Sequence, residues 1–194
     1  MNYLIKTVQP TIEPVTLAEA QLHLRLDTFG SPASHPDDSL VETLITAARE
    51  NAEQYTGVTI AQATYQVKSA VVNNQISLQT YPVTNIGSVT YEDSTGTVNT
   101  VSVDDYYVDN FQRPARLIFK QNAPVYDVTA TFTAGYTDNE SPNPYPTPAG
   151  VKAAILLMLG NLYENRESVA STQSYERPQS ATYLLTPHRI NMGM

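Results

Sequence analysis

The stretch NPYPTPAGVKAAILLMLGNLYENRE, residues 143–167, joins a proline-rich connector directly to a dense apolar helix. Prolines recur at every second position from Pro142 to Pro148, and because proline restricts its own backbone they predict a stiff, extended connector. Thr147 can cap the helix that follows, with Pro148 at the first helical position, where its missing amide donor costs nothing. A helix is predicted over 148–165, with one wide apolar face formed by Val151, Ala154, Ile155, Met158, Leu159, Leu162 and Tyr163.

Two further helices are predicted nearer the amino terminus. Thr16 and Glu19 have the spacing of a capping box, in which each side chain accepts from the other residue's amide, so a short helix is expected near 16–26. A longer helix is expected over 37–56. Acids open this segment, apolar residues recur at three- and four-residue steps, and Gly57 can end it.

Between about 64 and 135 the apolar period changes to two, which is typical of strands with one buried face. β-branched and aromatic residues alternate with polar ones throughout, and this predicts one antiparallel sheet. Asn73-Asn74 and the turn 93–96 contain residues that tolerate positive φ, so each is expected to close a hairpin. The acidic segment 103–114 is expected to be a longer excursion between strands.

These elements define an α+β fold, in which a small helical bundle carries an antiparallel β-rich insertion at about 64–135. The 194 residues and 41% hydrophobic content are sufficient for one sizeable core. We therefore predict a single domain over 1–167, followed by an extended C-terminal arm over 168–194.

The C-terminal arm ends in a small apolar and basic cluster that follows a polar stretch. Apolar residues at a chain end indicate a contact, either with a partner or with the chain's own core. In one interpretation the arm docks on a partner through Arg177, Tyr183, Leu184, Leu185, His188, Arg189 and Ile190. In the other interpretation, residues 183–190 fold back onto the chain's own core as a last short helix.

Composition and charge exclude several classes of function. Cysteine is absent, which removes disulfides, thiol nucleophiles and cysteine-bound zinc. The net charge of −8 is spread unevenly, because residues 1–146 carry −9 and residues 147–194 carry +1. Most of the chain therefore repels DNA phosphate, and specific DNA binding is not expected. The longest apolar stretch, residues 153–159, is far shorter than the roughly 20 residues of a membrane helix, and the amino terminus lacks a signal-peptide pattern. We expect no membrane span and no export.

The sequence shows no pattern for catalysis or metal binding. The three histidines lie far apart and show no HExxH or comparable spacing. Asp37-Asp38 lie at a predicted helix start and Asp104-Asp105 at a predicted turn, where acidic side chains commonly accept hydrogen bonds from backbone amides. A glycine-rich phosphate loop and a G-x-S-x-G elbow are also lacking. We therefore predict no metal, no cofactor and no catalytic residue. A hydrolase stays open as an alternative, because catalytic groups assemble in space.

Five segments follow one another along the chain in an informative order. They are PVTLAEAQLHLRLD (14–27), DDSLVETLITAARENAEQYTG (37–57), YPVTNIGSVTYEDSTGTVNTV (81–101), VTATFTAGY (128–136) and PAGVKAAILLMLGNLYENRE (148–167). Together they resemble the head-tail connector proteins of tailed bacteriophages, also called adaptor or head-completion proteins. The resemblance covers the chain from Pro14 to about Arg189, and it departs in a longer loop at 29–36 and in the length of the sheet region.

The resemblance implies a structural, non-enzymatic role in a virion. Subunits of this family form a ring, usually of twelve copies, below the portal protein, and the ring extends the DNA channel. The ring is also a platform for the next neck or tail protein, such as a stopper or tail-completion protein. By this resemblance the chain is made in the host cytoplasm and is located in the virion neck. It binds the portal and neighbouring copies of itself, and genomic DNA passes through without specific binding.

Two surfaces are expected to serve this role. The C-terminal residues named above are expected to bind the portal. Loops that face the channel or the tail are expected to carry acids, which repel DNA phosphate and so ease its passage. The acids concerned are Glu92, Asp93, Asp104, Asp105 and Asp109.

A non-enzymatic module that binds a glycan or a peptide is the alternative from another class. A β-rich chain with 13 tyrosines favours it, and it predicts a monomer with a concave aromatic pocket. The connector interpretation instead predicts contacts that are completed only between copies.

Overall fold

The computed structural model describes residues 3–30, 34–121, 124, 126–137, 145–165 and 178–190. The chain forms two compact units. The β unit comprises Met1–Ile12, Gly57–Tyr145 and Ile190–Met194, and the helical unit comprises Glu13–Thr56 and Pro146–Arg189. The described strands all belong to the β unit and the described α-helices to the helical unit, so the α+β class is confirmed.

The first helix of the helical unit, α1, spans Leu17–Leu24 and begins with the predicted capping box. The Thr16 hydroxyl accepts from the Glu19 amide at 3.2 Å, and the Thr16 amide donates to a Glu19 carboxylate oxygen at 2.8 Å. Both amides at the helix start are thereby satisfied. Arg25 adopts the left-handed conformation, with a φ of 56°, and the helix ends there.

The second helix, α2, spans Asp38–Thr56 and confirms the helix predicted over 37–56. Its buried residues follow helical spacing and are Val41, Ile45, Ala48, Arg49, Ala52 and Thr56. Gly57 has a φ of 71°, a left-handed conformation that glycine adopts without strain, so the chain leaves the helix at the predicted residue.

The third helix, α3, spans Ala149–Glu164 and confirms the helix predicted over 148–165. The predicted cap is wrong by one residue, because Pro148 rather than Thr147 is the N-cap and no side chain caps the helix. Pro148 keeps an extended ψ of 137°, so the first helical residue is the alanine that follows it. The missing amide of proline is still harmless here, since an N-cap residue contributes its carbonyl to the helix.

Helices α2 and α3 pack against each other, and the predicted apolar face of α3 is buried as far as Leu159, whereas Leu162 is 40% exposed and Tyr163 half-buried. The buried residues of α3 are Val151, Ala154, Ile155, Met158 and Leu159. A polar contact accompanies this packing, because the Tyr163 hydroxyl donates to Asp37 Oδ2 at 2.6 Å. The end of α3 is therefore joined to the start of α2.

A fourth helix, α4, spans Gln179–Leu185, and a 3-10 turn over Thr186–His188 follows it. α4 packs against α3, with Ala181 and Leu185 fully buried. The extended conformation expected for the arm is therefore wrong for residues 178–190, which adopt the fold-back alternative. The physical reason is that apolar residues four apart share one helix face, and burying that face within the chain needs no partner. Residues 166–177 and 191–194 lie outside the described residues.

The β unit contains a five-stranded sheet with the order β1-β2-β8-β4-β5 and a three-stranded sheet with the order β3-β7-β6. Every strand pair is antiparallel. The strands are β1 (Tyr3–Val8), β2 (Ala63–Ser69), β3 (Gln75–Ser77), β4 (Val83–Glu92), β5 (Val98–Thr100), β6 (Tyr106–Asp109), β7 (Arg116–Phe119) and β8 (Val128–Ala134).

The single predicted sheet is therefore wrong, although its antiparallel pairing is confirmed. Buried residues of both sheets form one apolar core, to which Phe132 of β8 and Leu117 of β7 belong. In β8, buried residues alternate strictly with less buried threonines. Alternation of this kind predicts that a strand has one buried face, but it does not state which strand is the neighbour. Strand β1 is not among the predicted elements, and β6 lies within 103–114, the segment predicted to be an excursion between strands.

Both predicted turns form, but only the turn at 93–96 closes a hairpin of paired strands. The strands on either side of Asn73-Asn74, β2 and β3, belong to different sheets, and Val72 and Gln75 form only an isolated bridge. Asn73 and Asn74 have φ of 52° and 58°, and the residues flanking them exchange backbone hydrogen bonds at 3.1 Å. Gly96 has a φ of 81° in the turn between β4 and β5, where the Asp93 amide donates to the Thr97 carbonyl at 3.0 Å. Among the helices in the described part of the chain, none has the length and apolar content to cross a membrane.

Candidate assembly surfaces

The predicted portal-binding residues differ in how much of each is exposed. Leu185 is fully buried and Ile190 is 5% exposed, so both are satisfied inside the chain. Leu184 and His188 are half-buried. Tyr183 is 67% exposed, and Thr186, Pro187 and Arg189 are also exposed. Arg177 lies outside the described residues.

Contacts to α2 hold the exposed end of this segment in place. The Tyr55 hydroxyl lies 3.1 Å from Thr186 Oγ1, within hydrogen-bond distance. The Arg189 guanidinium lies 5.4 Å from the centre of the Tyr55 ring, which is a cation–π distance. Tyr183, Thr186, Pro187 and Arg189 therefore form a fixed surface, which we call the α4 surface.

A buried arginine that is not among the predicted site residues organises the interior of the helical unit. Arg49 is 2% exposed, and its guanidinium donates to Glu13 and to Glu53 at 2.8 Å each, with Glu50 at 3.6 Å. Burial lowers the pKa of Arg49, but Glu53, Glu13 and Glu50 together outweigh burial and the pKa is raised. The Arg49–Glu13 ion pair links the segment before α1 to α2. The four-residue spacing of Arg49 and Glu53 was its only sequence signal.

Asp93 is one of the five predicted channel-facing acids, and its side chain stabilises the turn in which it lies. Its carboxylate accepts from the Thr95 hydroxyl at 2.6 Å, the Thr95 amide at 2.8 Å and the Thr97 amide at 3.1 Å. Hydrogen bonds from Thr95, Thr97 and Asn99 lower the pKa of Asp93 to about 2. The carboxylate is therefore ionised across the physiological range, and it closes the β4–β5 hairpin.

The other predicted acids do not form one cluster. Glu92 is exposed at the end of β4. Asp104 and Asp105 are exposed on a 3-10 turn, Val103–Asp105, directly before β6. Asp109 ends β6 and accepts from the amide of the second residue after it at 2.9 Å. The last acid and the Asp104-Asp105 pair thus lie at opposite ends of one strand.

Next to these acids, the start of β6 exposes apolar side chains. Val103 is 71% exposed and Tyr107 is 49% exposed. Within the described residues, the carboxylates of Asp104 and Asp105 form no salt bridge. Val103, Asp104, Asp105 and Tyr107 together form a surface that we call the acid–apolar patch.

The loop between β6 and β7, which is not among the predicted surfaces, carries the most exposed aromatic residue of the described chain. Phe111 is fully exposed, at 101% of its reference area. Asn110 beside it is tied down, because its Nδ2 donates to the Val83 carbonyl at 2.7 Å and to the Tyr145 hydroxyl at 3.0 Å. Its Oδ1 accepts from the Val83 amide at 3.1 Å. We call residues 110–113 the Phe111 loop.

An aromatic platform supports the other side of the Phe111 loop. The Arg113 guanidinium lies 4.5 Å from the centre of the Tyr81 ring, and Tyr81 meets Tyr145 edge-on with ring centres 6.5 Å apart. Tyr136 is buried nearby, and burial raises its pKa to about 12, with Arg113 lowering it and Tyr81 raising it further. The loop therefore holds Phe111 and Arg113 on a rigid base. An aromatic residue and an arginine two apart in a predicted loop were the available sequence signal.

The edge of the five-stranded sheet also exposes apolar residues. β1 is an edge strand, and its Tyr3, Ile5 and Val8 are each more than half exposed. The register shifts between Lys6 and Val8, which marks a bulge. Bulges twist an edge away from regular pairing, so this edge is poorly suited to adding another strand.

No metal centre is found in the described part of the chain, where no three side chains of His, Cys, Asp or Glu are grouped to hold an ion. Among the tyrosines that could line a pocket under the binding-module alternative, Tyr65, Tyr106 and Tyr136 are buried. Their rings pack in the interior of the β unit.

No protein-family model matches the chain, and no curated protein matches it. Solved structures do share its fold. A chain of the "neck of empty GTA particle computed with C6 symmetry" has a TM-score of 0.77 at 18% identity, covering 99% of this chain and 97% of that one. A chain of the "virion of native gene transfer agent (GTA) particle" has a TM-score of 0.75 at 19% identity, covering 98% and 97%.

A third similar chain comes from the "neck of native GTA particle computed with C12 symmetry". Its TM-score is 0.71 at 19% identity, and the match covers all of this chain and 97% of that one. At this level of identity the likeness shows a shared fold. The fold is shared over nearly the whole length of each chain, so neither contains a large domain that the other lacks.

Proposed function

We propose that this chain is a structural, non-enzymatic subunit of the neck of a phage-like particle. The observation that carries the proposal is the whole-length match to solved neck chains, with at least 97% of either chain covered. A fold can host many functions, but here both units occur together and in full. The connector resemblance of five sequence segments supports the same role independently of the coordinates.

Within the neck, we infer that the chain forms an adaptor ring that attaches to the portal. The necks of the similar chains were computed with C6 and C12 symmetry, which supports a ring of repeated copies. A ring of twelve copies extends the DNA channel and presents a platform to a stopper or tail-completion protein. The net charge of −8 favours passage of DNA without binding, since phosphate is repelled.

The portal contact is assigned to the α4 surface rather than to a free arm. Tyr183 and Arg189 offer an exposed ring and an exposed cation, which are residue types enriched at the energetic centres of interfaces. Leu184 and His188 lie alongside them half-buried, and Arg177 belongs to the same proposal although it is outside the described residues. Leu185 and Ile190 are assigned to the interior.

The channel-facing role is assigned to the acids of the β4–β5 hairpin. Glu92 is exposed and suited to repel DNA, while Asp93 contributes its charge from within the turn. Asp104 and Asp105 are also exposed, but the exposed Val103 and Tyr107 beside them suit this pair to a contact with protein. Asp109 is half-buried at the end of β6. Rings of carboxylates repeated around a channel keep duplex DNA from adhering to its wall.

Deletion of the gene from the particle-producing cell tests the neck role. We expect heads that contain DNA but carry no tails in electron micrographs, and expression of the wild-type chain should restore tails. Mass spectrometry of purified wild-type particles should find the chain. Normal tailed particles from the deletion, or absence of the chain from wild-type particles, would contradict the proposal.

Surface substitutions test the portal contact better than truncation, because truncation also removes Leu185 from the interior. The double variant Tyr183→Asp, Arg189→Glu should lose co-sedimentation with portal rings while its circular dichroism stays that of the wild type. Thr43→Lys, on the exposed side of α2, is the matched control and should bind normally. Binding by the double variant at wild-type strength would place the contact elsewhere.

A further inference from the structure

Strand β6 carries two exposed surfaces of opposite character at its two ends. The acid–apolar patch lies at its start, and the Phe111 loop follows its end. β6 has four extended residues, so its two ends lie about 13 Å apart along the strand.

The Phe111 loop has the construction of a pre-organised binding element. Asn110 makes three hydrogen bonds to Val83 and Tyr145, and Arg113 stacks on Tyr81, so the loop is ordered before any partner arrives. Ordering a loop in advance lowers the entropy cost of association. Aromatic residues and arginine are enriched at interfaces, and a fully exposed phenyl ring gains the most when a partner covers it.

The acid–apolar patch complements this loop in both respects. Val103 and Tyr107 offer apolar surface to Phe111, and the Asp104 and Asp105 carboxylates offer negative charge to Arg113. In the described part of the chain these carboxylates are in no salt bridge. Lys120 Nζ lies beside them but donates to the Asp104 carbonyl at 2.8 Å, so the carboxylates can pair with a cation of another copy.

We infer that neighbouring copies of this chain contact one another through these two surfaces, with the Phe111 loop of one copy on the acid–apolar patch of the next. The inference rests on the proposed ring. A ring needs two different, complementary faces on each subunit, because a head-to-tail contact repeats until the circle closes. A symmetric contact of loop with loop would instead bring two Arg113 side chains together, which like charge disfavours.

Cysteine cross-linking in assembled particles tests this contact, and the chain is well suited to it because it contains no cysteine. Particles built with the double variant Phe111→Cys, Val103→Cys should give a ladder of disulfide-linked multimers under mild oxidation. Particles built from a mixture of the two single variants should stop at dimers. Both positions are exposed, so neither substitution disturbs the core.

The matched control replaces Val103 by another exposed apolar position. Phe111→Cys combined with Ile5→Cys, on the edge strand β1, should give no ladder, although Ile5 is 60% exposed. A ladder with the control and none with the Phe111–Val103 pair would overturn the inference. Dimers formed by Phe111→Cys alone would also overturn it, because they indicate a symmetric contact.

A charge exchange gives a second, independent readout. Arg113→Glu should lower incorporation of the chain into particles by at least about tenfold, and adding Asp104→Arg and Asp105→Arg should restore most of it. Unchanged incorporation of Arg113→Glu, or no rescue by the exchange, would count against the contact. If wild-type particles contain the chain but the loop and patch do not cross-link, only this inference fails. If the chain is absent from the particles, the proposed function fails as well.

Discussion

The helical unit and the β unit differ in how their elements find partners. In the helical unit, hydrogen bonds run between residues four apart, so the capping box at Thr16 and the stop at Gly57 could be placed from local sequence. In the β unit, β2 pairs with β8 although more than fifty residues separate them. Local patterns therefore predict helices with their ends, whereas they predict strands without their neighbours.

The two units also differ in what their interiors contain. The helical unit buries Arg49 among three glutamates, whereas the core of the β unit is an apolar cluster drawn from both sheets. The stabilisation from apolar burial depends on the shape and area of the buried side chains, whereas a buried charge is tolerated only while its oppositely charged partners are present. Substitutions in the two units should therefore destabilise the protein for different reasons.

The largest effect is expected in the core of the β unit. Phe132→Ala removes a ring that is 1% exposed and stacks on Tyr65 with ring centres 5.9 Å apart. The free energy of unfolding should fall by about 4 kcal/mol because a cavity remains. Urea denaturation measures this loss. Thr131→Ala, one residue away on the opposite face of β8, is the control and should cost less than about 1 kcal/mol.

The second-largest effect tests whether residues 178–190 pack within the helical unit or extend from it as a free arm. Leu185→Ala should lower the free energy of unfolding of the isolated chain by about 3 kcal/mol, because Leu185 is fully buried. Tyr183→Ala, two residues earlier and 67% exposed, should change it by no more than about 0.5 kcal/mol. Equal, small effects of the two substitutions would mean that residues 178–190 leave the helical unit in solution.

A smaller effect is expected at the buried arginine. Arg49→Met keeps the aliphatic stem but leaves Glu13 and Glu53 without their cation, so we expect a loss of about 2 kcal/mol. Glu50→Gln is the control, since Glu50 is 51% exposed at 3.6 Å and should contribute less than about 0.5 kcal/mol. Thermal and urea denaturation of both variants measure the difference. Equal losses in the two variants would contradict the assignment, because Glu50→Gln leaves Glu13 and Glu53 in place around Arg49.

The smallest effect is a dependence on pH in the β4–β5 turn. The pKa of Asp93 is about 2 in the folded protein and 3.8 ordinarily, so the ionised carboxylate stabilises the fold. This contribution is present above pH 4 and is lost as the pH falls through about 2. Asp93→Asn should reduce the pH dependence of stability between pH 4 and 2, because the amide does not ionise. Stability curves for Asp93→Asn and wild type that run parallel over this range would contradict the assignment.

The surfaces follow the same division between local and long-range information. The turn at Asp93 was predicted because its residues act on one another within four positions. The Phe111 loop was missed, since its rigidity comes from Val83 and Tyr145, which are 27 and 35 residues away from Asn110. Tyr183 and Leu185 were grouped together by sequence, but packing of α4 buries one and exposes the other.

The sequence by itself determined the α+β class, the three helices predicted near 16–26, 37–56 and 148–165, and the two tight turns, because caps, periodicity and positive φ are local properties. Only the tertiary structure decided that the strands form two sheets, that α4 folds back, and which apolar side chains remain exposed. Those outcomes depend on contacts between residues far apart in the chain. The energy of such contacts comes from the area that they bury together, and no short segment contains that information.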